Sequence, residues 1–409
     1  MRNGNSNSDR AARALAALML LLAPGTSAAA GRGPGAMLML DSHLDTPASL
    51  DLPGWRIEDR HRFDEDFTQV DLPRMKRGGL DGGFWAIYTP QGALDREGKA
   101  AARDFAFRRA VSIREMVASH PRTMALALTA DDARRIDRTG RRVVYMSIEN
   151  AYPLGDDPSL VRSFHAIGVR MLGLVHFANN QFADSSTDPG GPRWGGLSPL
   201  GRELLAEANR LGMLVDASHA SDAVLDQLLA QSRAPIVLSH SGCKAIYDHP
   251  RNVDDERLRR LAAAGGVIQI NSYEHYLKPI PRNTERDAAL KAISARMDRD
   301  GLSVAEYHAL LAERRRVVER YPVAHASFDD FMAHLLHALK IVGVDHVGIG
   351  LDLDGGGGVE GMEDAASVSR IAAALKARGY DDVAIAKVWS GNLLRVLAAA
   401  QAAADPPAG

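Results

Sequence analysis

The sequence predicts an α/β protein, a single β/α barrel of eight strands in the TIM style. Three observations point there. Eight short apolar runs are spread along the chain, amphipathic stretches separate several of them, and no linker or internal repeat divides its 409 residues. Strands alternating with helices in one long chain form a parallel sheet, and eight of them close into a barrel.

The predicted strands, in order, are Met37–Asp41, Gly83–Tyr88, Val143–Ile148, Arg170–Val175, Met213–Ala217, Ile236–Ser239, Val267–Asn271 and Val347–Leu351. Each is a short apolar run of the length a buried strand needs. Leu200–Leu211, Ala223–Leu229 and Glu256–Ala264 carry helical periodicity between them. Thr123–Leu128 fits an extra strand or the end of a helix. Residues 278–327 form a charged, helix-prone insertion, with Glu313–Arg316 charged at every position, and read as a solvated helical cover. The barrel with this insertion is expected to span 36–400. The tail 402–409 closes on Asp-Pro-Pro-Ala-Gly and is expected to be disordered.

The first 30 residues have the pattern of a secretory signal peptide. Arg2, Arg10 and Arg13 precede the apolar run Ala14–Ala23, Pro24 and Gly25 end it, and small residues follow, with cleavage expected after Ala28 or Ala30. The run is too short to span a bilayer, which takes roughly 20 residues. Export to a periplasm, or secretion, is therefore expected. Cys243 is the only cysteine, so no intrachain disulfide forms and the core must supply the stability. Hydrophobic residues make up 46% of the chain, ample for a large core. Lys plus Arg (49) nearly balance Asp plus Glu (51), so neither nucleic acid nor an anionic membrane surface is an expected partner.

The chemistry lies in histidines and carboxylates at strand ends. His43 and Asp45 are two apart after the first apolar run, so on an extended backbone both side chains point one way and can grip one cation. Glu149 ends the third strand, where a barrel residue faces the mouth and one carboxylate can bridge two ions. His219 and His240 both follow the pattern apolar strand, Ser, His, and imidazole is a frequent ligand of zinc. Asp352 and Asp354 follow the last strand, and Gly355–Gly358 would allow a mobile loop beside them. Each residue has a bland reading as a core, capping or surface group, but one barrel face collects them all. The set suits a two-zinc site with a bridging carboxylate and a bridging hydroxide, the cations drawing the pKa of water towards ~7.

These motifs resemble the membrane (renal) dipeptidase family of zinc peptidases over about residues 37–397. The resemblance rests on Asp-Ser-His-Leu-Asp at 41–45, Ser-Ile-Glu at 147–149 and Val-Arg-Met-Leu-Gly-Leu-Val-His at 169–176. It continues in Gly-Met-Leu-Val-Asp-Ala-Ser-His at 212–219, Ser-His-Ser at 239–241 and His-Pro-Arg-Asn at 249–252. Asp-His-Val-Gly-Ile-Gly-Leu-Asp-Leu-Asp-Gly at 345–355 and Gly-Asn-Leu-Leu-Arg-Val at 391–396 complete it. It implies a barrel of the metal-dependent hydrolase type and an exported bacterial member that hydrolyses dipeptides through a metal-bridging hydroxide. Tolerance of a C-terminal D-residue is also implied. By resemblance His43 and Asp45 bind one zinc, His219 and His240 the other, and Glu149 both. Asp352 is then the acid/base, His176 the oxyanion donor, and Arg251 the clamp on the substrate carboxylate, with Tyr276 lining the same pocket. Homodimers occur among relatives, and the membrane attachment of the mammalian members is not expected to carry over. Asn150 and Phe177 depart from the family's usual glycine and asparagine, and the stretch 82–86 lacks a frequent glutamine, so the substrate pocket is expected to differ. Two other readings remain: a two-metal barrel hydrolase acting on lactones, cyclic amides or phosphotriesters, and a non-catalytic binding protein.

Overall fold

The structure is a computed structural model that describes residues 37–299 and 301–406. The expected signal peptide lies outside the described residues. Eight strands run in the order β1 (Leu40–Leu44), β2 (Gly82–Tyr88), β4 (Arg142–Glu149), β5 (Val169–Gly173), β6 (Leu214–Asp216), β7 (Val237–Cys243), β9 (Val267–Ile270) and β10 (Val347–Ile349). Every pairing between them is parallel. Two short strands lie off this path: β3 (Met124–Leu126) pairs β4, and β8 (Asn252–Val253) pairs β7. Thr123–Leu128 thus holds an extra strand, and Asn252–Val253 is a strand that the sequence, polar at that point, did not announce.

Two boundaries differ most: β7 runs on to Cys243 where Ser239 was expected, and β1 begins at Leu40 rather than Met37. Leu38 and Met39 are buried, which made them look like strand, but Met39 bonds to Asp81 instead of joining a ladder: its N–H donates to the Asp81 carboxylate at 2.9 Å, and its carbonyl accepts from Asp81 N at 2.8 Å. Apolarity reports burial, and pairing is a separate matter.

The circle is nearly closed. Between β10 and β1 a single bridge, Leu44 with Leu353, stands in for a ladder, and Asp45 N–H donates to Leu353 O at 2.9 Å. Side chains complete the seam. The buried Asp41 carboxylate accepts from Leu351 N–H at 3.1 Å, and Ser42 Oγ donates to Ser239 O at 2.6 Å, with Ile349 O at 3.1 Å. Elsewhere strands approach so closely that a side chain is excluded. At Gly82, φ is +140°, and an added Cβ would sit 1.9 Å from Val143 O.

Helices cover the outside. Pro199–Leu211 shows why they form: Ser198 caps its start by accepting from Gly201 N–H at 3.0 Å, proline occupies the first turn, and Gly212 ends it at φ +71°. Its Leu204 and Leu205 are buried against the barrel, each contributing about 1.5–3 kcal/mol. The insertion folds as two helices, Thr284–Met297 and Val304–Arg320, the second opened by a reciprocal Ser303–Glu306 cap. At the N-terminal ends of the strands, Leu393, Leu394, Val396 and Leu397 of the Asn392–Ala402 helix pack with Phe84, Val143 and Tyr145 as an apolar floor. The tail departs from its expected disorder up to residue 406: Asp405 N–H donates to Arg210 O at 3.0 Å, and its carboxylate pairs with Arg233 at 2.9 Å.

Candidate active site

The C-terminal ends of the strands bring the singled-out residues together. His43 lies within β1, and Asp45 just beyond it has left the extended conformation (φ −86°, ψ 9°), a departure from the expected geometry. The two still converge, with Asp45 Oδ2 3.4 Å from His43 Nε2. Glu149, the last residue of β4, is 5% exposed and sits at the centre. Its Oε2 faces His43 Nε2 at 3.5 Å. Its Oε1 faces Nε2 of His219, His240 and His176 at 3.2, 3.5 and 3.6 Å. His219 and His240 bring their Nε2 atoms within 2.8 Å of each other, and the His240 ring stacks on His43 at 3.9 Å. Asp352 Oδ1 stands 4.0 Å from His43 Nε2.

Backbone strain marks the same place. Among the described non-glycine residues only Phe67, Asn150, His219, Asp352 and Asp354 have positive φ, and four of the five belong to this mouth. Such conformations cost of order 1 kcal/mol or more and persist where the surroundings enforce them. Asn150 shows how a non-glycine residue is accommodated there. At φ +73° it occupies a conformation that glycine takes freely and asparagine tolerates, and its Oδ1 accepts from Asn180 Nδ2 at 2.9 Å.

Bonds behind the site set its protonation. Ser239 Oγ lies 2.6 Å from Asp216 Oδ2 and 2.8 Å from His240 Nδ1. A carboxylate only accepts, so the hydroxyl proton goes to Asp216 and Ser239 must accept from His240 Nδ1–H. The His240 Nε2 lone pair is thereby left for the pocket. Gln69 fixes the glycine run. Its Nε2 donates to Gly357 O and Glu363 O, both at 2.7 Å, and its Oε1 accepts from Asp354 N–H at 2.6 Å. The loop expected to be mobile is therefore tied down, and it presses on the site: a Cβ at Gly355 would fall 2.0 Å from Asp45 Oδ2 and 2.3 Å from Asp352 Oδ1.

The donor set fits metal cations. Both ring nitrogens of His43, Asp45 Oδ1 and His219 Nδ1 are buried without a hydrogen-bond partner, an arrangement that is costly unless something else satisfies them. Three overlapping groups place their donor atoms within 4.8 Å of one another: His43, Glu149 and His240; Glu149, His176 and His219; His43, Asp45 and Asp352. The field agrees. Burial opposes charge on His43, yet Glu149 and Asp45 hold its pKa well above 6.5, the sign of a place that seeks a positive charge. Burial, then Arg251 and His176, push His219 well below 6.5; burial, then His43 and His219, do so for His240. Both imidazoles are thus neutral, as ligation requires. Burial raises Asp352 well above the carboxylate range, with Asp45 and Glu149 adding to it against the opposing pull of His43.

Above these groups opens a cavity of about 350 Å³, lined in part by Glu149, His176, His219, Tyr276 and Asp352. Arg251 is 3% exposed beside it. Its Nη2 donates to His240 O at 2.9 Å, its Cζ lies 5.1 Å from the Tyr276 ring, and its buried Nε has no partner. Sequence reasoning passed over Asp216, Ser239 and Gln69, which support ligands without being ligands, and Tyr88, which reaches the mouth from the end of β2. Asp216 and Ser239 stand inside the strand-end motifs, and that position was their only signal.

The sequence pattern of the membrane dipeptidase family, peptidase family M19, matches residues 35–408. The chain belongs to this family. It is a metallo-dipeptidase, a hydrolase acting on dipeptides. A curated relative, Dipeptidase tcpJ of Claviceps purpurea, is 31% identical over 350 residues, covering 84% of this chain and 72% of its own length. The crystal structure of the probable dipeptidase PvdM from Pseudomonas aeruginosa superposes with a TM-score of 0.76 at 33% identity, covering 90% of this dipeptidase and 96% of that chain. A metallo peptidase from Rhodobacter sphaeroides, liganded with a phosphinate mimic of the dipeptide L-Ala-D-Ala, gives 0.69 at 25% identity, covering 89% and 99%.

Proposed function

We propose that the chain is an exported dipeptidase that works with two Zn²⁺ ions and accepts a D-residue at the C-terminal position. The two-sided Glu149 carboxylate carries the reading, with one oxygen towards His43 and the other towards His219 and His240. His43 and Asp45 would hold one ion, His219 and His240 the second, and Glu149 both. Ions held there supply Lewis acidity, lowering the pKa of water towards ~7 and polarising the scissile carbonyl.

The chain's own groups do the rest. Arg251 fixes the substrate's terminal carboxylate through its planar guanidinium, which limits the substrate to one residue beyond the scissile bond. His176, whose pKa burial and Arg251 depress, donates an N–H to the oxygen that gains charge as the carbonyl carbon becomes tetrahedral. Asp352 removes a proton from the attacking water and delivers it to the leaving amine, so two amino acids leave and one water is consumed. The L-Ala-D-Ala mimic bound by the Rhodobacter relative supports D-residue tolerance. The basic start, apolar run and small-residue exit of residues 1–30 support export.

Release of free amino acids from L,L- and L,D-dipeptides by Zn²⁺-loaded protein tests the reading, with Glu149→Gln as control. Turnover is expected to fall roughly 10³-fold or more in the control. No release from any dipeptide by the unaltered protein would overturn it and favour a lactone, cyclic amide or phosphotriester substrate.

A further inference from the structure

Eight large apolar side chains are exposed among the described residues, and Phe177 alone of them lines the catalytic cavity. It is 50% exposed, and apart from Ala48 it is the one lining side chain made purely of hydrocarbon. Its ring lies 3.9 Å from that of His176 and 5.4 Å from that of His219, so the phenyl borders the reacting groups. Tyr88, a neutral phenol with its pKa pushed up to about 12 by burial, also packs on His176, at 4.9 Å.

The backbone that carries the ring is held in place. Thr187 Oγ1 donates to Phe177 O at 3.1 Å, Ser185 Oγ donates to His176 O at 2.5 Å, and the Asp188 carboxylate accepts from Asn179 N–H at 2.7 Å. A phenyl fixed half in water gains nothing for the fold from its open face, and that face stabilises only what comes to cover it. On the cavity floor the groups are charged or strongly polar, so the apolar wall and the reacting floor offer different chemistry to different parts of one substrate.

We infer that Phe177 is a specificity-determining residue, and that the dipeptides this chain turns over best carry an apolar or aromatic side chain that packs on its ring. The inference rests on the dipeptidase reading and narrows it to a substrate class. It places substrate binding energy on a side chain outside the metal ligands, where it acts on the ranking of substrates rather than on the chemistry.

The test compares kcat/KM of the Zn²⁺-loaded protein, Phe177→Ala and Phe177→Leu on glycylglycine and on dipeptides with Leu or Phe at the first or the second position. The unaltered protein is expected to prefer the apolar dipeptides. In Phe177→Ala the ratio of apolar to glycylglycine turnover should fall roughly ten- to hundredfold, with most of it restored by leucine. A ratio unchanged in Phe177→Ala, with folding and metal content confirmed, overturns the inference. So does an equal loss on every substrate, which would mean that the ring only positions His176. Turnover of glycylglycine by the unaltered protein checks the dipeptidase reading separately, since that substrate has no side chain for Phe177 to meet.

Discussion

At the floor of the barrel the side chains of Phe84, Tyr145, Leu393 and Leu397 pack together as an apolar cluster; at the mouth His43, Glu149, His219 and His240 are as deeply buried but face each other through polar atoms 2.8–3.5 Å apart. The floor is stabilised by removing apolar area from water and by close packing. The mouth buries charge, leaves ring nitrogens unpartnered and holds His219 and Asp352 at positive φ. One end of the barrel thus contributes the stability, and the other uses part of it to hold reactive groups in place.

The sharpest way to break this comparison is to damage each end in turn. Leu397→Ala should cost about 2–5 kcal/mol in stability while leaving metal content and turnover per folded molecule unchanged, measured by denaturant unfolding alongside kinetics. Metal loss without destabilisation would show that the floor shapes the site. Gly355→Ala should do the reverse. Its Cβ collides with the Asp45 and Asp352 carboxylates, so kcat/KM should fall roughly 100-fold with little change in melting temperature. Retained activity would mean that the glycine run yields easily despite the Gln69 bonds.

Ser239→Ala sharpens the comparison within the mouth. It removes the acceptor that fixes the His240 tautomer, so affinity for Zn²⁺, measured by competition with a chelator, should weaken roughly 10–100-fold. An unchanged affinity would leave Ser239 with a packing role only. The smallest effect belongs to the surface. Hydrogen bonds from Arg210, against an opposing effect of burial and with further help from Arg162, hold Glu207 at about 2, below its ordinary 4.5. The folded state therefore favours the carboxylate. Its contribution is complete above about pH 4.5 and is lost as the pH falls towards 2. Because both arginines are largely in water, the effect should be no more than about 1 kcal/mol, and Glu207→Gln should flatten the stability curve only in that window.

The contrast also explains what could be read in the sequence. Strands such as β4 and β9 are predominantly apolar because helices and interior cover both faces, so their existence and order were legible from residue type. His43, Glu149, His219, His240 and Asp352 were legible because strand ends in a barrel share one mouth. The positive φ of His219 and Asp352 was not, since nothing in a histidine or aspartate announces a left-handed backbone. Nor was the hold of Gln69 on the glycine run. It joins residues 69 and 357 across the fold, and a run of glycines considered alone implies freedom.

The seam between β10 and β1 has a consequence for assembly. Asp41 and Leu351, which bond across it, are 310 residues apart, and the loop they close encloses most of the described chain. Closing so long a loop carries a high entropic cost and contributes little until most other contacts exist. A chain emerging from the ribosome carries His43, Asp45, Glu149, His219 and His240 long before Asp352, Gly355 and the floor helix exist. The finished pocket therefore arises only after the floor helix has been made, and metal capture at full affinity belongs to the compartment in which folding ends.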